Sequence, residues 1–375
     1  MTTTLYRSGS IYAPGTPRAT ALLVESGADG ADVEAGATSK AIIWAGTDEA
    51  AARLGAADVV VDLQGGLLAP AFVDAWVDAA HSTSSVRAAA GLGVGAVHLL
   101  RSNGSVSERE RGGWSSGPEV VTYSGVLSGD LDLDTLRHRY RDDTTAGRQT
   151  VVVLDDADDL ALVLIAAAAA ADESGIARFV GARHRLHSRS GVPGSVLAEL
   201  ARLGFIVCLA PISGPAGSRP AGSRPAASGS AAPGAAGWLS LRELAGAGVP
   251  LAFGSAAAGP ARSLWEVVRT ASSAELGDSA ISVRAAFAAA TRGGRRAAAQ
   301  DASGEIRPGA TATFAIWDYE GALVVRTPDA RVAAWSTDPR AATPGLPDLS
   351  DGAPVPHCRR TVVGGRIVFD DGSIG

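Results

Sequence analysis

The chain has almost no lysine. Lys40 stands alone among 33 basic residues, so arginine carries nearly all the positive charge. Lys40 lies well before the α/β middle of the chain, which excludes a carbamylated lysine as a metal bridge there. Methionine is confined to Met1, and the two cysteines, Cys208 and Cys358, are far apart and form no metal-binding or redox spacing. They read as reduced thiols of a cytoplasmic protein. Long apolar runs are also missing. The longest, around Leu160–Ala171, is about a dozen residues and alanine-heavy, too short to span a bilayer and suited to a buried helix. The opening residues, Met1 to Arg7, lack the basic-then-apolar layout of a secretory signal. A formal net charge of −6 gives no reason to expect nucleic acid as a partner. Alanine, glycine and arginine are favoured instead, the coding bias of a GC-rich genome. With 375 residues, 46% hydrophobic and 19% charged, the chain has enough apolar material for one large domain and a small one.

Both ends of the chain read as short strands. Leu5–Ser8, Ala21–Glu25, Ala41–Ala45 and Val59–Asp62 are β-rich runs between glycine-rich breaks. Thr313–Asp318, Val332–Ser336, Arg360–Val363 and Arg366–Asp370 repeat that texture, with Gly364-Gly365 as a hairpin turn. A small β-sandwich built from both termini (1–69 and 305–375) is expected. Between them, residues 70–304 alternate apolar strands with helical stretches, the pattern of a parallel α/β sheet or a TIM-like (β/α)8 barrel. The expected strands are Ala71–Ala75, Gly95–Leu100, Val120–Ser124, Thr150–Leu154, Arg178–Ala182, Phe205–Ala210 and Pro250–Gly254. Residues 125–148 hold a charged stretch where a further βα unit belongs, so the expected barrel is distorted and incomplete at that point. Residues 213–237 repeat Ala-Gly-Ser-Arg-Pro in tandem and then run in Ser, Ala, Pro and Gly, a low-complexity loop.

The motif that should carry chemistry lies at residues 65–78: Gly-Gly-Leu-Leu-Ala-Pro-Ala-Phe-Val-Asp-Ala-Trp-Val-Asp. It resembles the opening strand of the metal-dependent amidohydrolase superfamily, in which Asp-Ala-His-x-His places two histidines on the metal. Pro250 to Ala256, Ile281 to Gly294, Ile306 to Asp318, Val332 to Pro339 and Arg360 to Arg366 resemble later phrases of that family in the same order. The resemblance is greatest to the branch containing YtcJ-like and N-substituted formamide deformylase-like proteins of actinobacteria. It implies a hydrolase of non-peptide C–N bonds, amide or cyclic amide. One or two divalent ions at the barrel mouth would activate water and polarise the carbonyl.

The ligand places are largely substituted. The first two histidines fall on Trp76 and Asp78, a strand histidine on Val153, and the closing aspartate on Ala256. His187 keeps a histidine. An indole N–H only donates, so Trp76 cannot ligate a cation. A catalytic zinc usually takes three protein ligands. The expectation is a degenerate, catalytically impaired relative. The alternatives are a rebuilt mononuclear site holding zinc or another divalent ion, drawn from His187, Asp78, His184 and His81, and a non-catalytic barrel that binds a small molecule or another copy of the chain. His98 reads as an ordinary strand histidine, and His138 and His357 as surface residues. Asp155, Asp156, Asp158 and Asp159 read as acids at the start of a helix, where they favour its dipole. Ser255 is outside any Gly-x-Ser-x-Gly elbow, and Gly91 to Gly95 does not match the dinucleotide fingerprint.

Overall fold

A computed structural model describes residues 2–26, 41–78, 83–101, 117–129, 131–154, 157–188, 191–211, 241–256, 263–301, 303–326, 335–336, 344–350 and 352–375. Lys40, His81, Asp155, Asp156 and the low-complexity stretch 213–237 lie outside these residues. So do residues 332–334 of the expected strand Val332–Ser336.

The N-terminus supplies six strands: β1 (Thr2–Arg7), β2 (Ser10–Ile11), β3 (Ala21–Ser26), β4 (Ile42–Gly46), β5 (Val59–Asp62) and β6 (Leu67–Pro70). In β1 the inward residues are Thr4 and Tyr6, with neighbours facing out, as a half-covered strand requires. The middle of the chain supplies seven parallel strands: β7 (Phe72–Asp78), β8 (Val94–Arg101), β9 (Glu119–Ser124), β10 (Val151–Leu154), β11 (Arg185–Ser188), β12 (Ile206–Leu209) and β13 (Leu251–Phe253). The C-terminus adds β14 (Phe314–Asp318), β15 (Leu323–Arg326), β16 (Trp335–Ser336), β17 (Leu346–Pro347), β18 (His357–Val363) and β19 (Arg366–Asp370).

Strands from the two ends meet in one of the terminal sheets. One sheet runs β4-β3-β1-β5, and a second runs β19-β18-β14-β6-β2, with N-terminal β6 paired antiparallel to C-terminal β14. Tyr6, Leu22, Leu68, Phe314, Ile316 and Val362 share one core, and Tyr6 meets Phe314 edge-on at 5.2 Å.

The parallel strands form β7-β8-β9 and β10-β11-β12-β13. Strands β11 and β12 are buried along their whole length, the signature of strands covered on both faces. On one flank Leu127 forms a parallel bridge to Val152, exchanging hydrogen bonds of 3.0 and 2.9 Å with Val151 and Val153. On the other flank the Ala256 N–H donates to the Trp76 carbonyl at 3.0 Å. The result is a barrel-type α/β fold with no continuous ladder closing it among the described residues.

Two expectations change. Residues 125–148 keep their unit, reduced to the Leu127 bridge followed by a helix, Leu133–Thr145. Asp132 caps that helix by accepting from the Thr135 N–H at 2.8 Å. The expected strand Arg178–Ala182 is part of a helix, Ile176–Ala182, with Phe179 and Ala182 buried three residues apart. Gly175 (φ 86°) starts it and Arg183 (φ 58°) ends it in the left-handed region, so the strand begins only at Arg185. A short apolar run without clear period serves either element, and here the spacing of the buried pair is helical.

The helix Ala157–Ser174 starts within the Asp155–Asp159 run, at the place expected for those acids. Its buried residues Val163, Ala166, Ala167, Ala170 and Ala171 follow the 3–4–7 spacing of one helical stripe. No helix among the described residues is long and apolar enough to cross a membrane.

The barrel and the terminal sheets are joined by aromatic rings. Phe72 of β7 meets Trp265 at 5.0 Å, Phe287 at 5.5 Å and Trp317 of β14 at 5.4 Å. Gly93 turns into β8 at φ 72°, and a Cβ there would lie 1.9 Å from the Trp317 ring. Both the backbone conformation and the contact exclude a side chain. Gly93→Ala is expected to lower unfolding stability by roughly 2–4 kcal/mol in urea titrations, and Trp317→Leu in the same chain should recover part of it. A change within 0.5 kcal/mol of zero, taken as about the noise for a neutral surface substitution, would contradict this packing.

Candidate functional site

Strand β7 carries the opening motif, and its end is clasped to β13. The Asp74 carboxylate accepts from the Trp76 N–H (3.3 Å), the Ser255 N–H (2.8 Å) and the Ser255 hydroxyl (2.6 Å). Gly254 lets the strands meet, because a Cβ there would come within 2.4 Å of the Trp76 nitrogen. The pairing of β7 with β8 slips between Asp74 and Val77, and both Ala75 and Trp76 are buried.

Trp76 sits among apolar side chains. Leu100, Val126, Val151, Ala210 and Ala256 form one buried cluster with it, and Tyr123 and Val153 pack against that cluster. Ala256 has φ 42°, a left-handed conformation that costs an alanine roughly 1 kcal/mol. His187 meets Trp76 edge-on, with ring centroids 5.0 Å apart and planes at 89°. Val153, His187 and Cys208 stand in register on β10, β11 and β12.

Behind this layer is a buried charge. Arg185, two residues before His187 on β11, is fully buried. One terminal nitrogen lies 3.2 Å from His98 Nδ1, and the other donates to the Ala75 carbonyl at 2.8 Å and to Cys208 Sγ at 3.3 Å. The guanidinium lies over the Tyr123 ring, 4.5 Å from its centroid. Burial, reinforced by the charge of Arg185, holds His98 and His187 well below the ordinary histidine pKa, so both rings are neutral. Burial pushes the Cys208 thiol up, against the pull of Arg185. Among the described residues neither ring nitrogen of His187 has a hydrogen-bond partner.

The site candidates therefore separate. Trp76, Val153, His187 and Ala256 come together. Asp78 ends β7 in register with Leu100. His184 goes elsewhere: its Nδ1 accepts from the Thr150 N–H at 2.9 Å, so its Nε2–H donates to Thr144 Oγ1 at 2.9 Å. Thr150 in turn donates to Asp143 at 3.0 Å, and Arg139 and Arg148 pair with that carboxylate. With both nitrogens committed to structural bonds, His184 is not available as a ligand. His98 is a buried strand residue, His138 is exposed, and His357 is an exposed partner of Asp371 at 3.3 Å. Among the described residues no group of three or more His, Cys, Asp or Glu side chains could hold a metal ion.

Sequence reasoning gave no role to Arg185 or to the Asp74–Ser255 clasp. The first had no clear sequence signal, because Arg185 stands in a polar run, Arg183-His-Arg-Leu-His187. The second depends on two segments brought together only by folding.

Parallel strands wrapped by helices and joined to paired terminal sheets define a barrel-type α/β protein with its candidate site among the strand ends. The sequence profile of the amidohydrolase family matches residues 127–369, and the chain belongs to that family. No curated protein matches it. Among solved structures it is similar to a zinc-bound adenosine deaminase from Xanthomonas campestris, with TM-score 0.60, 15% identity and coverage of 97% of this chain and 92% of that one. An amidohydrolase from a Sargasso Sea environmental sample matches with TM-score 0.53 and 16% identity over 98% and 93%. A mutant of atrazine chlorohydrolase from Arthrobacter aurescens, complexed with zinc and atraton, matches with TM-score 0.53 and 13% identity over 98% and 95%. These likenesses establish the fold.

His184 sets a pH dependence. Burial lowers its pKa to about 4, against about 6.5 for a free histidine. The unfolded chain takes up this proton first as pH falls, so the contribution is intact above about pH 6.5 and is lost progressively toward pH 4. The loss amounts to roughly 3 kcal/mol at most. Thermal unfolding between pH 7.5 and 4.5 should show a steeper acid decline for the wild type than for His184→Gln (a range chosen to bracket about the free histidine pKa). Parallel curves would remove His184 from the account.

Proposed function

We propose that this chain is a catalytically silenced amidohydrolase. Its lineage is that of hydrolases of non-peptide C–N bonds, within the YtcJ-like and formamide deformylase-like branch, and its own site no longer binds the metal. The carrying observation is the apolar cluster around Trp76, at the positions where relatives of this branch place histidine and aspartate. An indole and alkyl groups cannot ligate a cation. Arg185 adds an electrostatic obstacle. A divalent ion within about 7 Å of a guanidinium is repelled by roughly 5 kcal/mol at an effective dielectric of 20. The residues present do not fit a metal, so no hydrolytic step is derived through one.

The strained Ala256 agrees with this reading. Aspartate tolerates the left-handed region better than alanine, so a backbone shaped for the family's acid has outlasted its side chain. The chain is organised as a terminal β-sandwich from 1–69 and 305–375 around a barrel at 70–304, retained for binding a small molecule or for assembly in the cytoplasm.

A second reading rests on His187, whose neutral ring has two uncommitted nitrogens. It would hold a mononuclear metal with Asp78 and one further group. Elemental analysis of purified protein separates the two. Zinc, manganese and iron together should fall below about one tenth of an equivalent, since His187 and Asp78 are fewer than the three protein ligands a catalytic metal usually takes. Near-stoichiometric metal that disappears in His187→Ala would establish the second reading instead.

A further inference from the structure

The sheet β4-β3-β1-β5 gives one face to the terminal core, through Tyr6, Leu22, Val24, Ile42 and Val61. Side chains alternate along a strand, so the residues between these point outward. Pairing aligns four of them across the whole sheet. Leu5 of β1 stands opposite Leu23 of β3 and Val60 of β5, and Leu23 stands opposite Trp44 of β4. Among the described residues none of the four belongs to a buried cluster or packs against one. Val60 is 45% exposed, and Ile43, at the irregularity beside Trp44, is 42% exposed. The Trp44 ring takes the place of a side chain at Gly46, where a Cβ would lie 2.1 Å from it, so the indole is already held against the sheet. A sheet covered on one side ordinarily keeps its other face polar, and a contiguous apolar row there marks an interaction surface.

Charge is arranged about this row. Arg7 lies two residues past Leu5 and Glu25 two residues past Leu23, and because β1 and β3 are antiparallel the two fall on opposite sides of the row. A two-fold axis along the row brings Glu25 of each copy to the side on which the other copy carries Arg7. Asp58 and Asp62 flank the row only at the β5 edge, where they accept from Thr3 and from the Gln64 N–H. Four strands about 4.8 Å apart and about five residues of roughly 3.3 Å each give a face of roughly 19 by 17 Å, or about 500 Å² of accessible surface with side-chain relief. Two such faces bury about 1,000 Å² together, the lower bound for a specific interface. We propose that the chain pairs with a second copy of itself through this face, sheet on sheet, with Val60, Leu5, Leu23 and Trp44 of one copy against the same row of the other. This contact supplies a surface for the assembly named in the proposed function and rests on that reading for its purpose alone; metal content decides the reading and leaves the face untouched.

Sedimentation velocity on the full chain should show a reversible monomer–dimer equilibrium with a Kd of about 1–100 μM, as so small an area implies. Leu23→Glu should raise that Kd at least about a hundredfold, because each pair would bury two unpaired carboxylates near the axis. At dilutions where both chains are monomers it should melt with the wild type, since Leu23 faces away from the core. If Leu23→Glu does not fold, Val60→Lys at the exposed end of the row takes its place and should weaken the pair at least about tenfold. Arg7→Glu and Glu25→Arg should each weaken it several-fold, and the double variant should regain most of that loss. A chain that stays monomeric far above this concentration range overturns the proposal. So does a dimer that neither Leu23→Glu nor Val60→Lys weakens, because it forms elsewhere. A monomer that pairs only after residues 27–40 are replaced by a short Gly-Ser link assigns the face to that segment and overturns the proposal too. Stoichiometric metal lost in His187→Ala, with the dimer intact, would sink the silenced-hydrolase reading alone.

Discussion

Among the described residues no ladder pairs β7 with β13, and the seam between them is held by the Asp74 carboxylate. Its bonds to the backbone of Trp76 and to both donors of Ser255 bring together residues 181 positions apart in the chain. The rest of the barrel depends on that seam. With it in place, Gly254 can pass against Trp76, the Ala256 N–H reaches the Trp76 carbonyl, and the strand ends converge on one small volume. A carboxylate that satisfies several backbone and hydroxyl donors in a buried place is worth more than a surface ion pair, because each donor would otherwise be orphaned.

What fills that volume is mostly apolar. Apolar side chains crowd the positions around Trp76, and the one histidine left among them, His187, is kept neutral by burial and by the charge of Arg185. The two effects act in the same direction on a metal. The apolar side chains around Trp76 offer no ligand atoms, and the guanidinium raises the potential around His187. The same guanidinium is held by a carbonyl, an imidazole, a thiol and a ring face, partners that orient it without neutralising it.

Membership of the amidohydrolase family follows from the sequence, but the family's chemistry does not travel with membership. A fold hosts a function through particular side chains, and the family match speaks for the frame alone. The clasp, the glycine at 254 and the left-handed turn at 256 all belong to the frame.

Much of the architecture was legible in the sequence. Val59–Asp62 and Arg366–Asp370 were placed to the residue, since period-2 burial and a Gly-Gly turn are local signals. The chemistry of Trp76, Val153 and Ala256 was legible too, because none of these side chains can ligate a cation. Residues Arg178–Ala182, part of the helix Ile176–Ala182, were misread as a strand, because so short a run lacks the length to declare its period. The fate of His184 was equally hidden: its two bonds go to Thr144 and Thr150, and only the packing of the helix Leu133–Thr145 beneath β11 brings them within reach. By itself the sequence determined which side chains could never hold a cation, since that is a property of their atoms. Tertiary structure decided the sign of the interior, because a buried charge acquires its meaning only from the neighbours that folding assembles around it.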